Sequence, residues 1–324
     1  MIEFDKKSSE VARAAWLYYH EDLTQAEIAR ELSVSRSTVT RLLQRAKTEG
    51  LVRISLNVAS GTFKAERDLE HVYGLEKVRI VPNSDDDATQ KRWLGHVAAE
   101  LMVSMVADGS IVAVSWGTTL LAVTEALVGQ NPIAGAQIVA LVGGLHNAEM
   151  GTDTNEVAKQ LGQYFNVPAR PLLAPIYVQD EATALGLANE PGIRDARELA
   201  RKASIVIFSL GAMHEETTMF KLGHITSEQK EFLQDHGAVG DIACRWIDRN
   251  GAPVKLPPSI NPVGISLEDI KKIPRRLAVA GGAFKQEAVL AGLRGGFFTI
   301  LVTDERTAAS LLENRQQIGG AAFG

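Results

Sequence analysis

Six residues between positions 35 and 41, Ser35, Arg36, Ser37, Thr38, Thr40 and Arg41, carry the hydrogen-bonding groups that a nucleic acid recognises. An arginine fork can bridge O6 and N7 of guanine, and serine or threonine hydroxyls reach several bases or a phosphate. Gln25 stands just upstream, where it could hold a backbone phosphate. A second chemistry sits far along the chain. In Trp116-Gly117-Thr118-Thr119 the glycine lets the backbone come close, and two hydroxyls follow. Free N–H groups at a helix start, with such hydroxyls, make an anion site. Glycine and threonine also cap helices for purely structural reasons; the place of these residues directly after an apolar run is what points to a phosphate. Lys285 ends Gly281-Gly282-Ala283-Phe284-Lys285 and falls in the first turn of an expected helix. A cation there opposes the helix dipole, so it reads as ligand-binding rather than solvated. Asp241 follows Gly237-Ala238-Val239-Gly240 and is either a turn cap or an acceptor for substrate hydroxyls. Gly143-Gly144 and Leu210-Gly211-Ala212 end two further apolar runs, as tight turns or as walls of the same cleft.

The elements that must position the first group are readable. Ser8–His20 has helical spacing, with Val11, Ala14, Ala15, Leu17 and Tyr18 on one face. Thr24-x-x-Glu27 is a capping box that opens a short second helix with Ala26, Ile28, Ala29 and Leu32 inward. Ser33-Val34 makes the turn, Ser35 caps a third helix, and Gly50 ends it. Val39, Leu42, Leu43 and Ala46 of that helix point inward, which leaves Arg36, Ser37, Thr38, Thr40, Arg41 and Gln44 outward. First-turn residues of such a helix meet base edges in a major groove. Leu51–Leu56 alternates as a strand and is expected to form a wing. A plain three-helix bundle with solvated arginines is the alternative; the combination of box, turn, cap and terminal glycine favours DNA binding. The expected winged helix-turn-helix domain is 1–56.

Residues 57–64 are small and polar and read as a linker before a helix over Ala65–Tyr73. In 65–324, β-rich runs alternate with helical ones. The expected strands are Val78–Val81, Ile111–Ser115, Gln137–Val142, Arg170–Ala174, Ser204–Ser209, Arg276–Val279 and Phe298–Val302. The expected helices are Lys91–Val106, Leu120–Leu127, Asn155–Tyr164, Arg194–Lys202, Phe284–Leu293 and Glu305–Leu312. Alternation of this kind predicts an α/β domain with a mainly parallel sheet, and such sheets bind ligands at the carboxyl ends of their strands.

Bulk properties agree. At ~100–200 residues per domain, 324 residues allow two or three domains. Lys and Arg number 34 against 39 Asp and Glu, a net charge of −5, so the chain is no general polycation. Yet Arg36, Arg41, Arg45, Lys47 and Arg53 face only Glu49 between positions 36 and 53. A basic stripe on an acidic body suits a DNA reader. Cys244 is the one cysteine, which excludes an internal disulfide and a cysteine metal cluster and fits a reducing cytoplasm. The polar N-terminus is unlike a signal peptide, and no apolar run approaches the ~20 residues of a membrane span, so a cytoplasmic protein without membrane contact is expected. The lysine of a P-loop is missing after Gly117, and no cofactor or metal is called for.

Taken together, AWLYYHEDLTQAEIARELSVSRSTVTRLLQRA, SWGTTL, VALVGGL, GAVGDI, VAGGAFKQEA and LVTDERTAASLL make the whole chain resemble the SorC family of sugar-responsive transcription regulators. The resemblance implies a helix-turn-helix domain joined to a Rossmann-like effector-binding domain related to ribose-5-phosphate isomerase and glucosamine-6-phosphate deaminase. It implies operator DNA as one partner, a carbohydrate effector, typically phosphorylated, as another, and a homo-oligomer, dimer or tetramer. It places the phosphate loop on Gly117, Thr118 and Thr119, the glycine pair on Gly143 and Gly144, and polar sugar contacts on Asp241 and Lys285. Some relatives that take a sugar diphosphate have a basic residue where this chain has Gly211-Ala212-Met213, so at most one phosphate is expected.

The expected function is a ligand-controlled regulator of a carbohydrate-utilisation operon. The alternative is a sugar-phosphate isomerase or deaminase with Asp241 as base and Lys285 as electrostatic stabiliser. A second acid–base residue is not evident beside those loops, and an attached DNA reader favours recognition over turnover. A purely architectural DNA binder is disfavoured by the acidic body and the glycine-rich strand ends.

Overall fold

A computed structural model describes residues 6–21, 23–52, 60–144 and 153–314. The chain falls into two compact units, a small one N-terminal to residue 58 and a large one that holds the remaining elements.

The small unit contains α1 (Lys6–Tyr19), α2 (Gln25–Glu31) and α3 (Arg36–Thr48). Val11, Ala14 and Leu17 of α1 meet Ile28 of α2 and Val39, Leu42, Leu43 and Ala46 of α3 in one buried cluster. Thr24 and Glu27 close the capping box: the Thr24 N–H donates to Glu27 Oε2 at 2.8 Å, and the Glu27 N–H donates to Thr24 Oγ1 at 3.4 Å. Ser33 adopts a φ of 54° in the turn, and Ser35 Oγ accepts the Thr38 N–H at 3.1 Å. Gly50, at φ 70°, terminates α3. The wing expected over 51–56 lies largely outside the described residues, and Leu51 and Val52 are not in a strand.

The large unit opens with α4 (Ser60–Tyr73), so positions 60–64 of the expected linker are helical. Then follow β1 (Lys77–Val81), α5 (Asp87–Met105), β2 (Ile111–Val114), α6 (Thr118–Glu125), β3 (Gln137–Ala140), α7 (Thr154–Phe165) and β4 (Ala169–Arg170). After these come β5 (Tyr177–Val178), α8 (Glu181–Asn189), α9 (Pro191–Arg201), β6 (Ile205–Phe208), β7 (Leu210–Ala212), α10 (Thr218–Lys221) and α11 (Ser227–Asp235). The unit closes with β8 (Ala238–Ile242), β9 (Arg245–Asp248), β10 (Asn261–Pro262), α12 (Leu267–Lys272), β11 (Arg275–Val279), α13 (Gln286–Arg294), β12 (Ile300–Asp304) and α14 (Glu305–Glu313).

Seven strands form a parallel sheet in the order β1-β12-β11-β6-β2-β3-β4. Both faces are buried, which is why these strands read as continuous apolar runs. The period of two still sorts the side chains: Val112, Val114, Ile205 and Ile207 join the cluster under α5, α6 and α7, while Ala113, Val206 and Phe208 join the one under α4, α9, α12, α13 and α14. The α/β architecture with a parallel sheet is the one expected.

Three departures matter. Of the strand expected over Arg170–Ala174 only an edge pair, Ala169–Arg170, forms. The last strand starts at Ile300, with Phe297 and Phe298 buried just before it. And β7-β8-β9 form a separate antiparallel sheet, which the alternation did not foretell. Asp241 is therefore a strand residue of β8 and not part of a glycine-rich turn. Among the described residues no helix is long and apolar enough to cross a membrane.

Candidate functional site

In chain order the sheet grows outward from β2 to β3 and β4, then returns to place β6, β11 and β12 on the other side of β2. The direction reverses between β2 and β6, and at such a switch point the strand ends leave a crevice. A cavity of about 480 Å3 opens there, lined by Trp116 to Thr119 after β2, Ser209 after β6, Gly281 to Lys285 after β11, and Asp241 of β8.

Gly117 is the N-cap of α6 with φ 115° and ψ 161° and makes no side-chain cap. That φ belongs to glycine. The turn leaves the N–H groups of Thr118, Thr119 and Leu120 without helical acceptors, since the first bond of α6 is Leu121 N–H to Gly117 O at 3.0 Å. Lys285 is the N-cap of α13, one position before the expected first turn, and its Nζ donates to Ser209 Oγ at 3.1 Å. Burial, reinforced by Lys91, lowers its pKa to about 8 against the opposing pull of Asp241, Asp87 and Asp304. Asp241 is 4% exposed. Burial raises its carboxyl to about 6, opposed by the Cys244 N–H that it accepts and by Lys285. Its cross-strand partner is Gly211, where a Cβ would lie 1.9 Å from Asp241 Oδ1. Only glycine leaves room there for the buried carboxylate.

Three further cations line this cavity, each held by a carboxylate that also lines it: Lys91 by Asp87 at 2.5 Å, Lys221 by Glu216 at 2.6 Å and Arg306 by Asp85 at 3.6 Å. Lys285 forms no ion pair among the described residues. Phe284, 54% exposed, stacks on His214 with ring centroids 3.6 Å apart.

One sequence expectation changes here. Gly143 and Gly144 are not in the cavity wall. A Cβ on Gly143 would lie 2.3 Å from Ala174 O, and the Gly144 N–H donates to the same carbonyl at 2.8 Å, so the pair serves close packing of 174–176. Trp116, just before the Gly117 turn, is 8% exposed, and its indole N–H donates to Cys244 Sγ at 2.9 Å.

On the small unit, Arg36, Ser37, Thr40 and Arg41 of α3 are exposed. The guanidinium groups of Arg36 and Arg41 make no hydrogen bond or ion pair among the described residues, whereas Arg45 is neutralised by Glu49 at 2.6 Å. Ser35 is occupied as a cap, and its hydroxyl lies 2.8 Å from those of Ser37 and of half-buried Thr38. Thr40 donates to Gln25 Oε1 at 3.1 Å, so Gln25 braces α3 from the start of α2.

Residues 58–313 match the family model described as "Putative sugar-binding domain", and residues 14–59 match that of the MarR family. The deoxyribonucleoside regulator of Bacillus subtilis (strain 168) is 31% identical over 303 residues, 93% of this chain and 96% of that protein. The transcriptional regulator LsrR of Escherichia coli (strain K12) is 31% identical over 314 residues, 95% of this chain and 96% of its own. The chain belongs to the SorC family of sugar-binding transcriptional regulators. The full-length sorbitol operon regulator SorC from Klebsiella pneumoniae shares the fold, with a TM-score of 0.74 at 23% identity over 95% of this chain and 100% of that one. SorC-family members are regulators rather than enzymes, so the isomerase alternative is set aside.

In this SorC-family chain the structure brings Gly117, Thr118, Thr119, Asp241 and Lys285 to one cavity. Sequence reasoning missed Ser209, Lys91, Lys221 and Arg306, which stand in unremarkable helix and strand ends. Gly211 was read as a tight turn or a wall of the cleft, and it does line the cavity; a further signal was a glycine placed opposite a buried acid.

Proposed function

We propose that α3 reads operator DNA through Arg36, Ser37, Thr40 and Arg41, with Ser35, Thr38 and Gln25 holding that helix in shape. We further propose that the cavity takes a carbohydrate effector with one phosphate. The phosphate would sit on the Thr118, Thr119 and Leu120 N–H groups with Lys285 as counter-ion, and Asp241 would accept from a sugar hydroxyl. The observation that carries this reading is the delivery, by separate strand ends, of a helix start, an uncompensated cation and a buried carboxylate to a single cavity. A second phosphate finds no free cation at Gly211-Ala212-Met213. The names of two similar proteins, a deoxyribonucleoside regulator and a sorbitol operon regulator, support a chemistry between pentose and polyol.

In this reading residues 1–56 are the winged reader, 57–64 the connector and 65–324 the effector and oligomerisation part. The chain acts as a homo-oligomer, dimer or tetramer, so that two recognition helices face two half-sites, and effector binding biases their spacing. Thermal unfolding of the purified protein against sugars and polyols, each with and without phosphate, tests it. A ligand at one hundred times its Kd raises stability by ~2.7 kcal/mol. Stabilisation by a phosphorylated sugar alone supports the anion site. Stabilisation by a free polyol alone removes the phosphate assignment, and silence across the panel removes the effector class.

A further inference from the structure

The β8–β9 hairpin turns on two residues, Ala243 and Cys244, because Ile242 pairs directly with Arg245. Their φ angles are 49° and 65°. Two positive values in a two-residue hairpin are the pattern that Asn-Gly satisfies with least strain. Alanine and cysteine bring a Cβ close to a carbonyl there and are strained. Such strain persists only where the surroundings over-determine the conformation.

Here they do. The Cys244 N–H donates to Asp241 Oδ2 at 3.0 Å, its carbonyl accepts the Tyr177 hydroxyl at 3.0 Å, and its Sγ accepts the Trp116 indole N–H at 2.9 Å. Cys244 is fully buried, and its neighbour Ala243 lines the cavity. Two of the three partners belong to the site: Asp241 is its buried carboxylate, and Trp116 directly precedes the Gly117 turn. A hairpin with only a structural duty has no need of a side chain that reaches another loop.

We propose that Cys244 is a positioning residue for effector binding, its thiol fixing Trp116 and its N–H fixing Asp241, so that the Gly117–Thr119 loop and the carboxylate keep a set separation across the cavity. The proposal rests on the effector reading of that cavity. The thiol acts by geometry and not as a nucleophile, since burial holds its pKa well above the usual range.

The test is calorimetric titration of the full chain with inorganic phosphate and with ribose 5-phosphate, for wild type, Cys244→Ala, Cys244→Ser and Cys244→Gly. Urea midpoints and hydrogen exchange of the Trp116 indole N–H accompany it. Alanine should weaken ribose 5-phosphate binding about tenfold, the scale of one lost hydrogen bond. Serine, whose hydroxyl can accept the indole N–H, should restore affinity and slow indole exchange. Glycine suits the left-handed turn, so it should keep or raise the urea midpoint while binding as weakly as alanine; it also keeps the test open if the alanine variant fails to fold. Wild-type affinity in the alanine and glycine variants, or a serine variant no better than alanine, overturns the positioning role alone. A wild-type protein that binds neither probe overturns both this role and the anion reading beneath it.

Discussion

Lys285 and Asp241 are held in opposite states of discomfort, and both are testable by pH. Burial leaves Lys285 titrating near 8, so the ammonium that an anion needs is present below that pH and lost above it. Affinity for a phosphorylated effector should therefore be level from about pH 6.5 to 7.5, above the ~6 of a phosphate's second ionisation, and fall towards tenfold per unit beyond 8. Lys285→Ala should bind weakly with no such slope; a slope that survives in this variant would remove Lys285 from the site. Asp241 has the inverse sign. Its folded pKa of about 6 exceeds the ordinary 3.8, so the stability it contributes is full below 3.8 and lost as pH rises through 6. Two units at ~1.36 kcal/mol each are on the order of 3 kcal/mol. Asp241→Asn should thus be the more stable protein at pH 7.5 by about 1–3 kcal/mol, the gain vanishing below pH 4, with effector binding impaired. Thermal melts at the two pH values decide it, and a less stable variant at pH 7.5 defeats the burial argument. On the DNA side, the Arg36 guanidinium has no partner among the described residues, and the residue is exposed. Arg36→Ala should cost ~1–3 kcal/mol on specific DNA if it reads a base, and weaken all DNA alike if it holds a phosphate. Unchanged binding to both kinds of DNA would take Arg36 off the interface.

At the scale of elements, the proposed anion loop is only as well placed as α6, and α6 is set by α5. A Cβ on Gly95 of α5 would lie 2.5 Å from the Ala122 carbonyl carbon of α6, a contact no backbone tolerates. Gly95→Ala should therefore push α6 outward, cost about 1–3 kcal/mol in urea unfolding and blunt the effector response. Retained stability with retained response would mean that the helix pair has slack. The same scale explains what the sequence could and could not tell. α3 was legible because its cap, its inward apolar residues and its terminal glycine all agree. The parallel strands were legible because Ile205–Phe208 and its neighbours are buried on both faces and read as apolar runs. The β7-β8-β9 sheet was not, because close packing filled it with glycine. Gly211 clears the Asp241 carboxylate, and a Cβ on Gly240 would lie 2.5 Å from that of Ala288, so GAVGDI reads as a loop while folding as a strand. Gly143 and Gly144 misled in the other direction, since a glycine needed for close packing looks like one needed for a ligand. The charges beside Lys285 arrive from α5, α10 and α14, and no local pattern marks such convergence.

For the whole molecule, regulation requires that the cavity and α3 report to each other through one equilibrium. Binding linkage is reciprocal, so the factor by which an effector changes operator affinity must equal the factor by which operator changes effector affinity. Lys285→Ala should leave operator binding without effector intact and remove this factor in both directions, as titrations with and without operator would reveal. The charge distribution adds a constraint, because a net charge of −5 leaves affinity for DNA to the few free cations of α3 rather than to the body. Under the homo-oligomer proposed above, two copies sit on two half-sites, whose centres lie ~34–36 Å or a multiple apart. Inserting about five base pairs between the half-sites turns the second one to the far side of the duplex, and inserting about ten returns it to the same side. Gel-shift measurements with the two operators should show affinity lost in the first and at least partly regained in the second. Equal affinity for both would mean that each small unit binds alone, and effector control through the spacing of paired recognition helices would have to be abandoned.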